Sequence, residues 1–505
     1  MNSGWGGGYV TDVNYIPAFN VSQSQPLMAI AALLNNAHAR PIGREEAFHY
    51  CDIGCGFGMT ALTAAAANPG WHVTGLDFNP AHIAAARALA RDAGIGNVQF
   101  LEVDLTDFAE SAIARALPPF DVVTMHGVWS WVGQGVQDGI LRLLNAKLQP
   151  GGMCHVSYNL LTGWQTALGL QRLVREAGSR LAGRSDRQAR AGLDLARELA
   201  KTGENVSFAS PIATQVLEHF TGMNGAYLAH ELMNQNWRPL MHADVAARMA
   251  EAKLEYAGST RLTDNIPQLA LSDPQRALLD QFDDPAMLEL FKDICQPQML
   301  RNDIFIRGAR RINASLRNAE LGRIHLGIVV SEADWKFEFD AAGGKAQMSE
   351  PYYRAIFNRL HKSPAPVAEL LALPDLQGQR DNPAELIAVA ISTGQVVAVP
   401  NPGAVLDERC RRLNVALLRR TFETAPGQPA HMAVPATGGG TTLPFAEAIM
   451  VNELVNDPDL QGAEALADRL AKKRIGGPDR GRLDAHVENF YRNDAPLLRN
   501  FGMPV

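Results

Sequence analysis

Short apolar runs alternate with alanine-rich amphipathic stretches over the first third of the chain. Residues 49–53 read as a strand and 59–67 as a helix, with Gly54, Gly56 and Gly58 between them. Residues 71–77 read as a second strand, and Asn79 and Pro80 as the N-cap and first position of a helix over 81–93. Residues 98–103, 120–125 and 153–158 continue the strand series, the last entered through a Pro150-Gly151-Gly152 turn. This rhythm predicts right-handed βαβ units and a parallel sheet, with ligands beyond the carboxyl ends of its strands. Two further strands are expected late, at 254–259 after a helical 242–252, and at 301–307. Apolar spacings of three and four, as at Leu170, Leu173, Val174 and Ala177, make about 165–239 a helical insertion over the cleft and 274–295 a second helical segment. The pattern changes after Ala309, where 324–330 and 335–339 read as strands and 352–360, 367–371, 445–455 and 463–473 as helices. Two units are therefore expected, 1–310 and 311–505.

The first strand-to-helix switch carries Asp52-Ile53-Gly54-Cys55-Gly56-Phe57-Gly58. Glycines at alternate positions let the backbone turn tightly and approach a ligand closely. A dinucleotide loop wants Gly-x-Gly-x-x-Gly, but Met59 stands at its last position and the third glycine comes one residue early. Asp52 would repel a pyrophosphate and suits an ammonium group. S-adenosylmethionine has no phosphate and carries an amino acid at one end. Asp77 ends the second strand 77 − 54 = 23 residues past the first glycine, where an acid can take both ribose hydroxyls. Asp104-Leu105, after the third strand, sets an acid to accept from an adenine amino group. Met59 and Asp104 both disfavour a nicotinamide dehydrogenase.

The glycine loop, Asp77 and Asp104 resemble, in order, the cofactor motifs of the class I S-adenosylmethionine-dependent methyltransferases. More narrowly, four segments look like the subgroup with a methyltransferase regulatory domain, which includes the rickettsial outer-membrane-protein lysine methyltransferases. They are Gly8-Tyr9-Val10-Thr11-Asp12-Val13-Asn14-Tyr15, Asp77-Phe78-Asn79-Pro80, the run from His126 through Trp129 to Trp131, and the run from Ser157 to Trp164. The likeness is strong over about 5–165, weaker to 310, and beyond that rests on His431-Met432-Ala433-Val434-Pro435 and the glycine-rich turn after it. Thr162 departs from the family's usual proline, while Cys55 and Phe57 are ordinary variants. The resemblance implies an α/β fold: a Rossmann-like seven-stranded class I sheet with a helical insertion, plus a C-terminal regulatory or substrate-binding α+β unit. It also implies S-adenosyl-L-methionine as cofactor and transfer of methyl groups to protein lysine. Tyr9, Tyr15, Asp52, Gly54, Gly56, Gly58, Asp77, Phe78, Asp104, Leu105 and His126 are the expected cofactor contacts.

Methyl transfer from a sulfonium displaces an already activated carbon, so the protein chiefly positions the acceptor and excludes water. A lysine ammonium must first lose a proton, helped by desolvation and one base. Aromatic faces stabilise cationic sulfur and ammonium without engaging the lone pair. Trp129, Trp131 and Trp164 are therefore candidates for substrate binding, with Trp5 beside them at the rim. His126, Tyr158 and Asn159 are the catalytic candidates, at the ends of the fourth and fifth strands facing one mouth. Tyr9 and Tyr15 are expected to fold over the cofactor, and His230-Glu231 either lines the acceptor groove or forms a structural ion pair.

Composition narrows the partners. Lys+Arg 46 against Asp+Glu 53 gives −7, no global basic field for nucleic acid. The cysteines, Cys51, Cys55, Cys154, Cys295 and Cys410, include no Cys-x-x-Cys and point to reduced thiols in a cytoplasmic setting. No basic-then-apolar leader and no apolar stretch of membrane-spanning length is seen, and no His/Cys spacing suggests a metal. In the C-terminal half, Gly394–Pro400 resembles the wing of a winged helix, but Lys472, Lys473 and Arg474 with Arg480 and Arg482 read as a solvated helix end, not a DNA surface. Thr437–Thr442 lacks the lysine of a phosphate loop and is expected to be a flexible turn. A protein or peptide substrate is the leading expectation, and a homodimer is left open. A small-metabolite methyltransferase and a non-catalytic S-adenosylmethionine-binding scaffold are the alternatives.

Overall fold

A computed structural model describes residues 6–15, 18–39, 47–203, 211–296, 298–341, 344–379, 381–457, 459–473, 475 and 479–505. Its centre is a seven-stranded sheet built from β1 (Phe48–Ile53), β2 (Trp71–Asp77), β3 (Val98–Glu102), β4 (Phe120–Met125), β5 (Leu148–Asn159), β6 (Leu254–Ser259) and β7 (Leu300–Arg307). The spatial order is β3-β2-β1-β4-β5-β7-β6. The first five strands are parallel, as the alternation of strands and helices predicts. β7 instead runs antiparallel between β5 and β6. The order reverses at β1 and β4, a switch point where the connections leave on opposite sides and open a crevice above the strand ends. Pro150-Gly151-Gly152 is a correction: it lies within β5 as a bulge, with Gly151 at φ 78°, where the register against β4 jumps from Phe120↔Leu148 to Val122↔Met153.

Helix α1 (Gln25–Leu34) precedes the sheet, and α2 (Met59–Ala67) and α3 (Pro80–Ala93) follow β1 and β2. The Asn79 side chain caps α3 by accepting from Ala81 N–H at 2.9 Å, with Pro80 in the first turn, as expected. Every residue of α2 is buried. Its alanines are small because it is covered on two sides, by the sheet and by a hairpin of β8 (Ala430–Val434) and β9 (Gly439–Leu443). Thr437–Thr442, expected to be a flexible turn, is thus packed structure: Asn68 Nδ2 donates to Gly438 O at 2.9 Å, and a Cβ on Gly440 would come within 2.7 Å of Thr63.

The 165–239 stretch is helical where described: α4 (Leu168–Gly178), α5 (Ser185–Lys201), α6 (Pro211–Thr221) and α7 (Gly225–Leu232). Leu170, Val174, Leu193, Phe220 and Leu228 form a separate core there, joined by Val10 and Val13 of the N-terminal segment. The expected helix over 274–295 is two, Asp273–Leu279 and Pro285–Cys295. Past the sheet, Val396–Ala398 pairs antiparallel with His325–Ile328, which also pairs with Ala365–Pro366. A long helix, α8 (Glu408–Thr424), lies across α2 and α3. Among the described residues no helix is long and apolar enough to cross a membrane, and no cluster of three or more His, Cys, Asp or Glu could hold a metal.

Candidate functional site

Asp52 near the end of β1, Asp77 at the end of β2 and Asp104 just past β3 stand at the carboxyl ends of three adjacent parallel strands. The glycine turn bridges the first two, because Gly54 and Cys55 N–H donate to Leu76 O at 2.7 and 3.0 Å. Gly58, at φ 75°, is packed so tightly that a Cβ would lie 2.7 Å from the Phe100 ring and 2.9 Å from Ala86. A Cβ on Gly56, at φ 52°, would meet nothing within 4 Å, which leaves space for a ligand against the backbone.

Each carboxylate has a distinct environment. Asp77, buried, accepts from Gly56 N–H and from Asn79 N–H, both at 2.8 Å, so it shapes the turn. Asp52 is buried and accepts from Gln23 Nε2 at 2.7 Å and Thr124 Oγ1 at 3.1 Å. Burial pushes its carboxyl up to about 7; the bonds from Thr124 and Gln23 oppose that rise and the charge of Asp77 adds to it. Asp104 is exposed and accepts from Thr106 N–H at 2.9 Å. Leu105 is held from behind, since its carbonyl lies where a Cβ on Gly139 would be.

The N-terminal segment roofs this end of the cleft. Tyr9 meets Phe78 edge-on, with ring centroids 5.7 Å apart, and Tyr15 meets His230 edge-on at 5.0 Å. His230 Nε2 lies 2.9 Å from Val13 O, and Gln235 N–H donates to Gly8 O at 3.0 Å, which straps the segment to α7 and the residues after it. Among the described residues His230 and Glu231 form no ion pair: His230 turns its Nε2 to Val13 O, and successive residues on a helix point about 100° apart. Glu231 instead faces Tyr9, Tyr15 and Tyr227, and burial pushes its carboxyl up to about 7. Burial and the charge of Glu231 push the Tyr15 hydroxyl to about 12.

A second polar group gathers past β4. His126 Nε2 lies 2.6 Å from Asn20 Nδ2, and the His126 and His155 rings stack 6.2 Å apart. His155 Nε2 is 3.2 Å from Ser22 Oγ and 3.3 Å from Asn302 Oδ1. Burial lowers His126 to about 4 and His155 to about 3, so both rings are neutral at neutral pH. Because the Asn20 amide donates to Nε2, the neutral His126 ring carries its proton on Nδ1. That tautomer, with the lowered basicity, favours a contact or packing role for His126 over that of a base. Its Nδ1 is buried with no hydrogen-bond partner among the described residues.

The other candidates divide. Asn159 Oδ1 accepts from Trp237 Nε1 at 3.2 Å, and Trp237 packs against Trp131 at 6.1 Å and Trp164 at 4.8 Å, a continuous aromatic cluster. Trp129 and Trp164 are corrections: Trp129 is inside the core with Ile140 and Phe108, Trp164 is buried with Leu170 and Phe220, and neither is at a rim. Tyr158 is another. Alternation along β5 sends Ser157 toward Gly127 N–H and turns Tyr158 to the opposite face, where its hydroxyl meets Asp303 and His242. Trp5 and Arg474 lie outside the described residues. Gln23, Ser22, Asn20, His155, Asn302 and Trp237 are neighbours that the sequence did not single out. Polar Gln23 and His155 beside apolar runs were the available signals.

Residues 51–154 match the family described as a methyltransferase domain, and 224–307 the family described as a predicted methyltransferase regulatory domain. The second match spans α7, which straps the N-terminal roof, and the strands β6 and β7. The chain is 31% identical over 366 residues to the uncharacterized protein sll1526 of Synechocystis sp., covering 72% of this chain and 71% of that one. It is 38% identical over 125 residues to the uncharacterized protein RP028 of Rickettsia prowazekii, covering 25% of this chain and 46% of that protein. In structure it is similar to PKMT2 from Rickettsia typhi, solved in complex with AdoHcy, with TM-score 0.68 and 18% identity over 97% of this chain and 99% of that one.

Proposed function

We infer the acceptor from one premise: this chain belongs to the class I S-adenosylmethionine-dependent methyltransferases that carry a methyltransferase regulatory domain. When bound, S-adenosylmethionine supplies a methyl carbon activated by sulfonium. The residues suit that ligand: the space above Gly56 admits it, Asp77 would take the ribose hydroxyls, and Asp104 with Leu105 would take the adenine edge. Asp52 would hold the amino-acid end, and Tyr9, Phe78 and Tyr15 would close over it.

We propose that the acceptor is the side-chain amine of a protein lysine. The carrying observation is the neutral, hydrogen-bonded wall of His126, His155, Asn20 and Asn302 past β4. Uncharged rings do not repel an ammonium, and desolvation there favours its neutral, nucleophilic form. Glu231, with its proton affinity near neutrality and its tyrosine surround, suits the exchange of a proton with the amine. A cleft of about 380 Å³, walled by Val21, Pro26, Val397 and Thr441, opens beside the turn that supplies Ser22. The fold shared with PKMT2 supports the same reading.

Residues 1–310 would be the catalytic unit and 311–505 the unit that grips the substrate, acting in the cytoplasm, where five free cysteines stay reduced. The test is transfer of labelled methyl groups to candidate proteins, with mass spectrometry to locate them. Label on lysine side chains is the expected result, and label found only in small molecules would overturn the lysine assignment.

A further inference from the structure

The glycine turn is loose by composition. Three of its five residues from Gly54 to Gly58 are glycines at positive φ, so ordering it costs more backbone entropy than ordering an ordinary turn. Phe57 is the large side chain within it, and its surroundings come from two parts of the chain. On one side its ring lies 4.5 Å from the ring of His82 on α3. On the other, the guanidinium carbon of Arg420, on α8 in the C-terminal half, stands 4.9 Å from the ring centroid.

These contacts connect to the cofactor acid. His82 Nδ1 is 3.6 Å from Asp77 Oδ1, and Asp77 Oδ2 accepts from the N–H of Gly56, next to Phe57. His82 is buried, and neither ring nitrogen has a hydrogen-bond partner among the described residues, so aromatic packing on Phe57 holds it in place. Arg420 is only partly exposed and has no ion pair among the described residues. Elsewhere along α8, Arg411 and Arg412 pair with Glu408. An arginine left without a carboxylate and seated on an aromatic face finds its favourable contact in that ring.

We propose that Arg420 is a positioning residue for cofactor binding. Seated on Phe57, it holds the Gly54–Gly58 turn closed against α3 and so makes cofactor affinity depend on the C-terminal half. The proposal rests on the reading of this turn as the S-adenosylmethionine site.

The experiment is calorimetric titration of the full chain with S-adenosylhomocysteine, on the parent, Arg420→Ala, Arg420→Lys, Phe57→Leu and the Arg420→Ala/Phe57→Leu pair. Arg420→Ala should weaken binding about three- to tenfold, ~0.7–1.4 kcal/mol, with its thermal midpoint close to the parent's. Arg420→Lys should recover part of the affinity, because an ammonium also binds over a ring but does not stack flat on it. In the Phe57→Leu background, Arg420→Ala should have little further effect. Parent-like affinity in Arg420→Ala, or an undiminished effect in the Phe57→Leu background, would overturn the proposal and leave the cofactor reading standing. A parent chain that does not bind S-adenosylhomocysteine would overturn both.

Discussion

Tyr158 donates its hydroxyl proton to Asp303 at 2.5 Å, within the buried side of the sheet. Asp303 also meets His242 Nδ1 at 2.8 Å and Arg301 Nε at 3.1 Å, while Arg301 reaches Asp293 and Glu289 at 2.5 and 2.7 Å. Burial opposes ionisation of Asp303, but Arg301 and His242 outweigh it and hold the carboxyl well below its usual range. A buried carboxylate so bonded is costly to disturb. Tyr158→Phe should therefore lower stability by about 1–3 kcal/mol and leave S-adenosylhomocysteine affinity within about twofold, as a difference of contacts remote from the ligand should. Urea denaturation alongside calorimetry checks both. Parent-like stability with lost turnover would return Tyr158 to the reaction.

Asp77 is held by backbone donors on both oxygens, so it serves the turn and the ligand together. Removing it costs charge-assisted bonds of about 1.5–3 kcal/mol, which corresponds to a loss of about tenfold to a hundredfold in affinity. Asp77→Ala should show that loss for S-adenosylhomocysteine, and Asp77→Asn, which keeps one acceptor oxygen, a smaller one. Unchanged affinity in Asp77→Ala would exclude this carboxylate from the site.

Asp52 gives cofactor binding a pH dependence. Its carboxyl, pushed by burial up to about 7, is largely protonated below neutrality. A ligand ammonium selects the ionised form, so affinity should rise by up to about tenfold per pH unit below that value and level off above it. The sign for stability is opposite. A carboxyl raised above its unfolded value stabilises the ligand-free fold below the ordinary carboxylate range, and that contribution is lost as pH rises through about 7. Titrations from about pH 6 to about pH 8 measure the first effect, and Asp52→Asn should flatten the profile. A flat profile in the parent would show that the ammonium sits elsewhere.

The parts that local pattern determines were legible in the residues. The glycine turn, the capped α3, the strand series and the acids at strand ends follow from spacing over a few positions. Side-chain direction near a strand end was less legible. Tyr158 and Asn159 are adjacent, yet only Asn159 reaches the tryptophan cluster, because a strand sends neighbours to opposite faces and its bulge shifts the register. The antiparallel β7, which supplies Asn302, and the turn that supplies Ser22 and Gln23 meet the site through contacts with |i−j| of 147, 133 and 29. No local periodicity encodes those meetings. The hairpin over α2 was hidden for the same reason: an alanine-rich helix reads as helix propensity until its second cover is seen.

Glu231 and His126 should separate in a pH–rate profile. Proton exchange with an ammonium at neutral pH favours a group whose pKa is near that pH. Glu231, raised by burial to about 7, meets that condition, whereas His126, lowered by burial to about 4 with Nε2 facing the Asn20 amide, stays neutral throughout the working range. Glu231→Gln should cut kcat by about tenfold to a hundredfold and abolish an ionisation near neutrality, with S-adenosylhomocysteine affinity nearly unchanged. His126→Asn, which keeps a neutral polar group, should lower kcat modestly while preserving the shape of the profile. Single-turnover methyl transfer across the pH range, on a lysine substrate found by the labelling experiment, distinguishes the two. An ionisation that vanishes in His126→Asn and persists in Glu231→Gln would reverse the assignment, because it would require the histidine to take a proton that its burial and its tautomer both oppose.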